Sequence, residues 1–337
     1  MTTNEFSKSD IKRLLSALEK VRSNVSKIII GQEQVVSEML TGLIAGGHCL
    51  IEGVPGLGKT LLVRSLAQAL QLKFGRIQFT PDLMPSDIIG TEVIEEDLQT
   101  GKKSFRFNPG PVFANLLLAD EINRTPPKTQ AALLQAMQER SVTYSSKTHT
   151  LDPPFFVLAT QNPLEQSGTY ELPEAQLDRF LLHIEIDYPE EVQELNILEE
   201  TTGGERPEVN AEMEGGQILE LQTVARQIHV SSSIFDYINR LVRSTRPQVS
   251  SVKNIVDCVK WGAGPRGGQS LVLAAKAKAL IEGRLSVTRE DVRDMALPVL
   301  RHRLLLNFHA QAEQVRVGDI IEELLQSIPG PEENLGS

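Results

Sequence analysis

Two adjacent carboxylates end an apolar run near the middle of the chain. The stretch LLLADEINRTPPKTQ, residues 116–130, places Asp120 and Glu121 directly after four apolar residues. A carboxylate at the edge of a protein interior is costly unless a cation or hydrogen-bond donors compensate its charge. Such a pair is most often a solvated strand end. It therefore indicates chemistry only in combination with a second motif.

A glycine-rich segment supplies that second motif. Residues 53–60, GVPGLGKT, match the pattern G-x-x-x-x-G-K-[ST], and they lie between an apolar run and an amphipathic helical pattern. Glycines let successive backbone N–H groups converge on phosphate oxygens, which a Cβ would obstruct. Lys59 adds a positive charge for the β- and γ-phosphates, and Thr60 offers a hydroxyl to Mg²⁺. The alternative, a glycine-rich turn with a chance lysine, does not explain the flanking strand and helix patterns.

A nucleotide site gives the two carboxylates a purpose. Asp120 would hold the water shell of Mg²⁺, and Glu121 would act as the general base on the attacking water. Asn162, in LATQNP, follows another apolar run, and its neutral amide could orient that water or touch the γ-phosphate. The sequence leaves open the alternative that Asn162-Pro163 is only a turn.

The elements that must position these residues form an alternating pattern. Short apolar runs separated by helical patterns predict a parallel α/β sheet. These runs are residues 48–52, 76–79, 115–119, 155–160 and 181–186. A helix over 9–28, capped by Ser9 or Asp10, is predicted to precede them. Two hairpin inserts are predicted at 97–107, turning at Thr100-Gly101, and at 141–151, turning near Ser145-Ser146.

The chain is long for a single hydrophobic core, at 337 residues. Residues 203–215 are rich in Gly, Pro and charge and indicate a linker or exposed loop. Beyond them the pattern is helical throughout, with a capping box at Thr288 and with Pro298 starting or kinking a further helix. We expect an α/β domain over 1–205 and a helical domain over 206–337.

Composition narrows the class of protein. The net charge of −10 disfavours nucleic-acid binding through phosphates. No apolar run has the length of a membrane span, and the N-terminus lacks the pattern of a signal peptide. The only cysteines, Cys49 and Cys258, are expected to be buried free thiols in a reducing compartment. We therefore expect a cytoplasmic protein.

Longer stretches carry a resemblance to a known family. They are QFTPDLMPSDIIG (78–90), FNPGPVFANLLLADEINR (107–124), VLATQNPLEQSGTYELPEAQLDRF (157–180) and VLRHRLLLNF (299–308). Together with the phosphate loop they resemble the MoxR family of AAA+ ATPases, from about residue 25 to residue 330. The resemblance implies a P-loop NTPase core of the AAA+ type with a parallel sheet, followed by a small all-α lid.

The resemblance implies roles at matching positions. Glu121 is then the catalytic base, with Lys59, Asn162 (sensor 1), Arg179 (arginine finger) and Arg266 (sensor 2) as further catalytic residues, and Thr60 and Asp120 as metal ligands. The implied nucleotide-binding residues are Ile30, Gly31, Gln32, Gly53, Val54, Pro55, Gly56, Leu57, Gly58, Lys59, Thr60 and Leu61.

Each arginine also has a physical case. A guanidinium from a neighbouring subunit stabilises the charge of the transferring phosphoryl group and couples hydrolysis to assembly. The alternative for Arg179 is an ion pair with Asp178 or Glu174, and for Arg266 it is contact with solvent alone. Arg124 is a further candidate for contact between subunits.

The resemblance further implies ATP and Mg²⁺ as cofactors and assembly into a ring, expected to be a hexamer. It implies chaperone-like remodelling of partner proteins, with a von Willebrand A domain protein as the expected partner. Two alternatives stay open: a nucleic-acid motor using Lys102, Lys103 and Arg106, and a nucleotide-gated scaffold with little turnover. The lid segment 245–268 departs from the family pattern, because it is longer, lacks His-Pro and has glycines at 264 and 267.

Four histidines and the single tryptophan are more simply interpreted as packing or surface residues than as ligands. No two histidines have metal-ligand spacing. His48 and His183 are expected to be packed or edge residues, His149 to lie in a hairpin and His302 to be a lid-surface or packing residue. Trp261 is expected to anchor packing beside the turn that carries Arg266.

Overall fold

A computed structural model of the protein describes residues 6–96, 103–163, 168–203 and 209–331. The strands of these segments are β1 Cys49–Gly53, β2 Phe74–Gln78, β3 Gly90–Glu96, β4 Lys103–Pro109, β5 Leu116–Asp120, β6 Ser141–Tyr144, β7 Lys147–Thr150, β8 Phe156–Gln161, β9 Leu182–Ile186, β10 Val259–Trp261 and β11 Leu305–Leu306. The helices are α1 Lys8–Ser26, α2 Glu33–Ala45, α3 Lys59–Ala69, α4 Pro85–Ile89, α5 Pro127–Glu139, α6 Glu174–Leu177, α7 Glu191–Thr202, α8 Gly215–Gln227, α9 Ser232–Ser244, α10 Lys253–Cys258, α11 Pro265–Ile281, α12 Arg289–Leu300, α13 Phe308–Ala312 and α14 Val317–Ser327.

A five-stranded parallel sheet in the order β2-β5-β8-β1-β9 organises the first part of the chain. Each of its strands lies within two residues of one predicted apolar run. The parallel α/β fold predicted from the sequence is therefore confirmed. Because all five strands run the same way, the residues that follow β1, β5 and β8 meet at one edge of the sheet.

Side chains alternate between two hydrophobic cores along each buried strand. In β5, Leu116 and Leu118 join one cluster, whereas Leu117 and Ala119 join the other, as the two-residue period of a strand requires. The larger cluster continues from the sheet through α2 into the helices after residue 209, including Leu271 of α11. The helical region is thus packed onto the core by shared apolar contacts.

The first helix differs slightly from the prediction of 9–28 with a Ser9 or Asp10 cap. It spans Lys8–Ser26 and is capped by Ser7. The Ser7 hydroxyl accepts a hydrogen bond from the Asp10 N–H at 3.1 Å, and the Asp10 carboxylate accepts one from the Ser7 N–H at 3.2 Å. This reciprocal capping box places the cap two residues before Ser9 and the helix start one residue before it.

Two antiparallel hairpins project from the sheet domain. The first pairs Gly90–Glu96 with Lys103–Pro109, so it begins seven residues before the predicted range of 97–107, and its predicted turn at Thr100-Gly101 lies outside the described residues. The second pairs Ser141–Tyr144 with Lys147–Thr150. Its turn is Ser145-Ser146, both with positive φ (47° and 64°), which is the geometry of a type I′ turn.

The C-terminal region is helical but contains one short ladder. Residues 259–261 of β10 pair with 305–306 of β11, so the region is not helical throughout. Pro298 lies inside α12 and starts no new helix, whereas the Thr288 capping box is present. The predicted domain boundary after residue 205 lies outside the described residues, so the division into 1–205 and 206–337 stays a prediction.

Trp261 is not a packing anchor. Its side chain is 63% exposed on β10, because this strand of three residues pairs along one side only with a partner of two residues. The expectation that the tryptophan anchors packing beside the turn with Arg266 was wrong. Cys49 and Cys258 are buried free thiols, as predicted.

Candidate functional site

The glycine-rich loop connects the carboxyl end of β1 to the first turn of α3. Gly56 and Gly58 have φ values of 89° and 71°, a region that side chains with a Cβ rarely adopt. The loop is largely open to solvent between Pro55 and Gly58. The Lys59 ammonium donates a hydrogen bond to the Gly53 carbonyl at 2.5 Å and so lies against the loop. This accessible loop, a helix N-terminus and the lysine are the features that a phosphate chain requires.

The segment Ile30–Gln32 lies beside this loop. The Gln32 amide donates to the Leu57 carbonyl at 3.1 Å, which ties the segment to the phosphate loop. The other side-chain atom, Gln32 Oε1, is buried and has no hydrogen-bond partner within the described residues. Gly31 has a φ of 77°, and a Cβ there would lie 2.5 Å from Gln193 Oε1 of α7. An unpaired buried acceptor next to a phosphate-binding loop fits the amino group of a purine base.

Asp120 ends β5 in a buried position with both carboxylate oxygens occupied. The Thr160 hydroxyl donates to Asp120 Oδ1 at 2.7 Å, and Arg76 Nη2 lies 2.8 Å from Asp120 Oδ2. Thr160 also accepts the Glu121 N–H at 2.8 Å. β8 therefore fixes the Asp120–Glu121 peptide through one hydroxyl, and β2 supplies the countercharge.

Glu121 has a strained backbone and a constrained side chain. Its φ of 58° is unusual for a residue with a Cβ, and such strain is held in place by surrounding contacts. Its Oε2 accepts hydrogen bonds from Gln78 Nε2 at 2.7 Å and from Arg124 Nη1 at 2.9 Å. Arg124, which the sequence suggested for contact between subunits, thus contacts the carboxylate of its own chain.

Asn162 is 4% exposed directly after β8. It lines a cleft of about 460 Å³ together with Glu52, Gln161 and Asn123. Glu52 is the residue before the phosphate loop, and it lies opposite Gln161 in the parallel register of β1 and β8. The structure therefore brings Asn162, the phosphate loop and the two carboxylates to the same edge of the sheet.

Arg179 and Arg266 lie elsewhere. Both line a cavity of about 260 Å³ with Gly47 and His48, at the amino end of β1, whereas the phosphate loop follows its carboxyl end. Within the described part of the chain Arg179 forms no ion pair with Asp178 or Glu174. Arg266 Nη1 lies 3.7 Å from Asp178 Oδ2, so solvent is not its only contact. The two arginines are brought together, but away from the glycine-rich loop of their own chain.

Arg303 is a residue that the sequence analysis missed. Its buried guanidinium donates to Asp178 Oδ1 at 2.8 Å, to the Phe180 carbonyl at 2.6 Å and to the Ser270 hydroxyl at 3.2 Å. Burial lowers the pKa of Arg303, while Asp178 opposes that shift. The contacts fasten the segment that carries Arg179 to the helical region. The available signal was an arginine directly before the apolar run LLL in VLRHRLLLNF.

His48, His183 and His302 each lie beside a polar group of the chain. His48 Nδ1 accepts the Val157 N–H at 3.0 Å and its Nε2 lies 3.2 Å from the Met137 carbonyl; burial lowers the pKa of His48 to about 4. His183 Nε2 lies 3.0 Å from Glu52, and a hydrogen bond from His183 lowers the pKa of Glu52. His302 is buried rather than on the lid surface. No cluster of three or more His, Cys, Asp or Glu suited to a metal occurs in the parts of the chain that are described.

Comparison with known proteins agrees with this geometry. A model of the ATPase family associated with various cellular activities (AAA) matches residues 48–182, and a model of the AAA lid domain matches residues 253–324. The first range contains the phosphate loop and the carboxylates, and the second contains Arg266 and Arg303. The described fold is shared as well: a crystal structure of a Cytophaga hutchinsonii protein to which ATPase activity is ascribed superposes with a TM-score of 0.88 at 40% identity, covering 96% of this chain and 97% of the other.

Curated relatives decide the family. The chain is 43% identical over 318 residues to "Chaperone MoxR1" of Mycobacterium tuberculosis, covering 94% of this chain and 83% of the relative. It is 32% identical to "Protein MoxR" of Paracoccus denitrificans, over 90% of this chain and 93% of that protein. The chain belongs to the MoxR family of AAA+ ATPases. The resemblance noted in the sequence and the AAA+ fold class are thereby confirmed.

Membership of the MoxR family fixes the architecture on which the site is built. The AAA+ core and lid of this MoxR-family chain correspond to the parallel sheet domain and the helical region described above. None of the helices in the described segments combines the length and the apolar composition that crossing a bilayer requires.

Proposed function

We propose that this MoxR-family protein is a Mg²⁺-dependent ATPase that hydrolyses ATP to ADP and phosphate. The observation that carries the proposal is the convergence of the phosphate loop after β1, Asp120 and Glu121 after β5 and Asn162 after β8 on one edge of the sheet. The exposed glycine loop fits the phosphates of a nucleotide, and Gln32 Oε1, which has no partner among the described residues, fits its base.

The residues divide the chemistry of hydrolysis among themselves. Lys59 and the backbone N–H groups of residues 56–58 hold the phosphate chain, and Glu121 accepts the proton of the attacking water. Asn162 orients that water without adding charge. Thr60 and Asp120 would hold Mg²⁺, which neutralises charge on the phosphates. Glu121 accepts hydrogen bonds from Gln78 and Arg124 on the same oxygen, Oε2, so these bonds orient the carboxylate while Oε1 faces the water.

Arg179 and Arg266 are proposed to act on the nucleotide of a neighbouring subunit. Their shared cavity lies at the opposite end of β1 from their own phosphate loop, so a head-to-tail contact would bring them to the next site. Contacts of this type close into rings when the rotation between copies allows. We propose a ring, with a hexamer as the expected form, in which these guanidinium groups stabilise the charge of the transferring phosphoryl group.

The energy of hydrolysis is proposed to remodel or assemble other proteins. One relative is named a chaperone, and the β3–β4 hairpin exposes apolar side chains at Val93, Ile94 and Phe105 that could contact a client. A von Willebrand A domain protein is the proposed partner and the cytoplasm the proposed location. The nucleic-acid alternative is not favoured, because Arg106 lies 2.8 Å from Glu95 and Lys103 lies 4.0 Å from Glu96.

ATP turnover per subunit, measured while the protein concentration is raised, tests this proposal. We expect specific activity to climb with concentration in the wild type, and Arg179→Ala to stay flat although it assembles and binds nucleotide. Lys59→Ala should lose nucleotide binding itself. Activity that stays constant in a demonstrated monomer, and is unchanged by Arg179→Ala, would show a self-contained site. Nucleotide binding without turnover at any concentration would favour the scaffold alternative.

A further inference from the structure

A chain of polar contacts joins the edge strand β2 to the two carboxylates. Arg76 Nη2 lies 2.8 Å from Asp120 Oδ2 and 2.6 Å from Gln78 Oε1. Gln78 passes the connection on, because its Nε2 donates to Glu121 Oε2 at 2.7 Å. Arg76 and Gln78 are two residues apart on one strand, so their side chains share a face of the sheet. One guanidinium nitrogen thus touches both the carboxylate proposed for Mg²⁺ and the residue that holds the proposed base.

The position of this pair separates it from an ordinary surface ion pair. The Asp120 side chain is only 12% exposed, whereas that of Arg76 is 45% exposed. A carboxylate so enclosed is poorly solvated and needs a positive partner, while the arginine can swing into solvent at little cost. The other oxygen, Asp120 Oδ1, is already held by the buried Thr160 hydroxyl. Oδ2 is consequently the oxygen that a cation would take, and Arg76 is the group that it would displace.

We infer that Arg76 competes with Mg²⁺ for Asp120 and so sets the Mg²⁺ concentration at which the protein takes up Mg²⁺–nucleotide. The inference rests on the proposed function and adds a positioning residue to it. Displacement of Arg76 also removes the donor from Gln78 Oε1, which frees the Gln78 amide to turn. Occupation of Asp120 by the metal is thereby linked to the loss of one of the two hydrogen bonds on Glu121 Oε2, the one from Gln78, while the bond from Arg124 stays.

Loss of the Arg76 charge should have opposite effects on Mg²⁺ binding and on nucleotide binding without Mg²⁺. Loss of the Arg76 charge removes a competitor, so Mg²⁺ should bind more readily in the presence of nucleotide. The same loss leaves Asp120 without a countercharge near the phosphates, so nucleotide should bind more weakly when Mg²⁺ is chelated. A residue that only supports the fold of β2 would shift neither quantity in this paired way.

A binding titration without turnover provides the test. Full-length wild type and Arg76→Gln are mixed with N-methylanthraniloyl-ADP, and Mg²⁺ is added while fluorescence reports binding. We expect the half-saturating Mg²⁺ concentration to fall about threefold to tenfold in Arg76→Gln, the range of a partly exposed ion pair. Affinity for the same probe in EDTA should fall. Arg76→Lys, which keeps the charge, should lie near the wild type.

Arg124→Gln is the matched control, because it removes one positive charge from Glu121 rather than from Asp120. Its Mg²⁺ requirement should change less than that of Arg76→Gln. Equal shifts of the half-saturating Mg²⁺ concentration in both variants would mean that only the overall positive charge near the site matters, which would overturn the inference. An unchanged Mg²⁺ requirement in Arg76→Gln would overturn it as well. These results, and wild-type binding of the probe that does not depend on Mg²⁺, leave the proposed function intact, whereas wild-type protein that binds no nucleotide at any Mg²⁺ concentration would overturn the function and the inference together.

Discussion

Arg303 and Asp178 form an ion pair with 2.8 Å between Nε and Oδ1, and Asp178 immediately precedes Arg179. The arginine comes from the helical lid and the aspartate from the sheet domain. The same guanidinium also reaches the carbonyl of Phe180. The lid therefore holds both neighbours of Arg179 in place and so fixes the backbone from which that side chain projects.

Replacing Arg303 should damage both stability and turnover. Arg303→Met leaves Asp178 and the Phe180 carbonyl without their donor, and we expect a loss of about 2–4 kcal/mol in the free energy of unfolding. ATP turnover should fall while nucleotide binding is kept. Urea unfolding and turnover measure the two effects. The control is Arg316→Met, whose exposed pair with Asp319 should change stability far less because solvent screens it; equal losses in both variants would contradict the special role of Arg303.

Two inactive variants should restore activity when mixed. Glu121→Gln lacks the proposed base and Arg179→Ala lacks the proposed finger. A contact between the two kinds of subunit can still unite an intact Glu121 with an intact Arg179. We expect each variant alone to turn over at least about a hundredfold more slowly than wild type, and the mixture to recover measurable ATP turnover. The Arg179→Ala subunit supplies the intact Glu121. Recovery should vanish when this subunit also carries Lys59→Ala. No recovery in mixed rings would indicate that both residues act within one subunit.

The two hairpins are expected to move as one unit. Phe107 of β4 stacks on His149 of β7 with ring centroids 4.3 Å apart and an angle of 18° between the planes. His149→Ala should therefore speed amide hydrogen exchange in residues 90–96 and 103–109, by a factor that corresponds to about 0.5–1.5 kcal/mol. Thr148→Ala removes the neighbouring Thr143–Thr148 contact on the other face of β6–β7 and should leave that exchange unchanged. Identical exchange in both variants would mean that the stack does not couple the hairpins.

Acid should destabilise the protein through His48. Burial holds the pKa of His48 at about 4, against 6.5 for a free imidazole, so the unfolded chain takes up a proton first as the pH falls. The free energy of unfolding should therefore be unaffected by His48 above pH 6.5 and should fall as the pH drops from 6.5 towards 4. The total loss should be about 3 kcal/mol. Protonated Nδ1 could no longer accept the Val157 N–H. His48→Asn, measured by urea unfolding at pH 7 and pH 5, should show a smaller pH dependence than wild type; an equal dependence would place the titration elsewhere.

The elements that carry long local patterns were predictable from sequence. Five apolar runs predicted the parallel strands, and the glycine spacing predicted the loop between β1 and α3. Thr288 and Asp291, three residues apart, predicted the start of α12. In each case the signal lies within a few residues of the feature, because strand burial and helix capping are decided locally.

Contacts between distant strands were not predictable in this way. Arg76, Thr160 and Asp120 meet from β2, β8 and β5, and no local spacing records that these strands are neighbours. A threonine at the end of the run FFVLAT, and two polar residues alternating along β2, were the traces in the sequence. The prediction for Trp261 failed for the opposite reason. A tryptophan side chain favours burial, but the position of Trp261 in a short two-stranded ladder exposes it.

The placement of Arg179 and the phosphate loop at opposite ends of β1 has an arithmetic consequence for assembly. If each site needs the phosphate loop of one subunit and Arg179 of the next, an open row of copies always has one incomplete site at its end. Two copies in contact complete one site of two, and three copies complete two of three. Only a closed circle leaves no copy idle, so the step that joins the last subunit to the first adds a whole working site without adding a molecule.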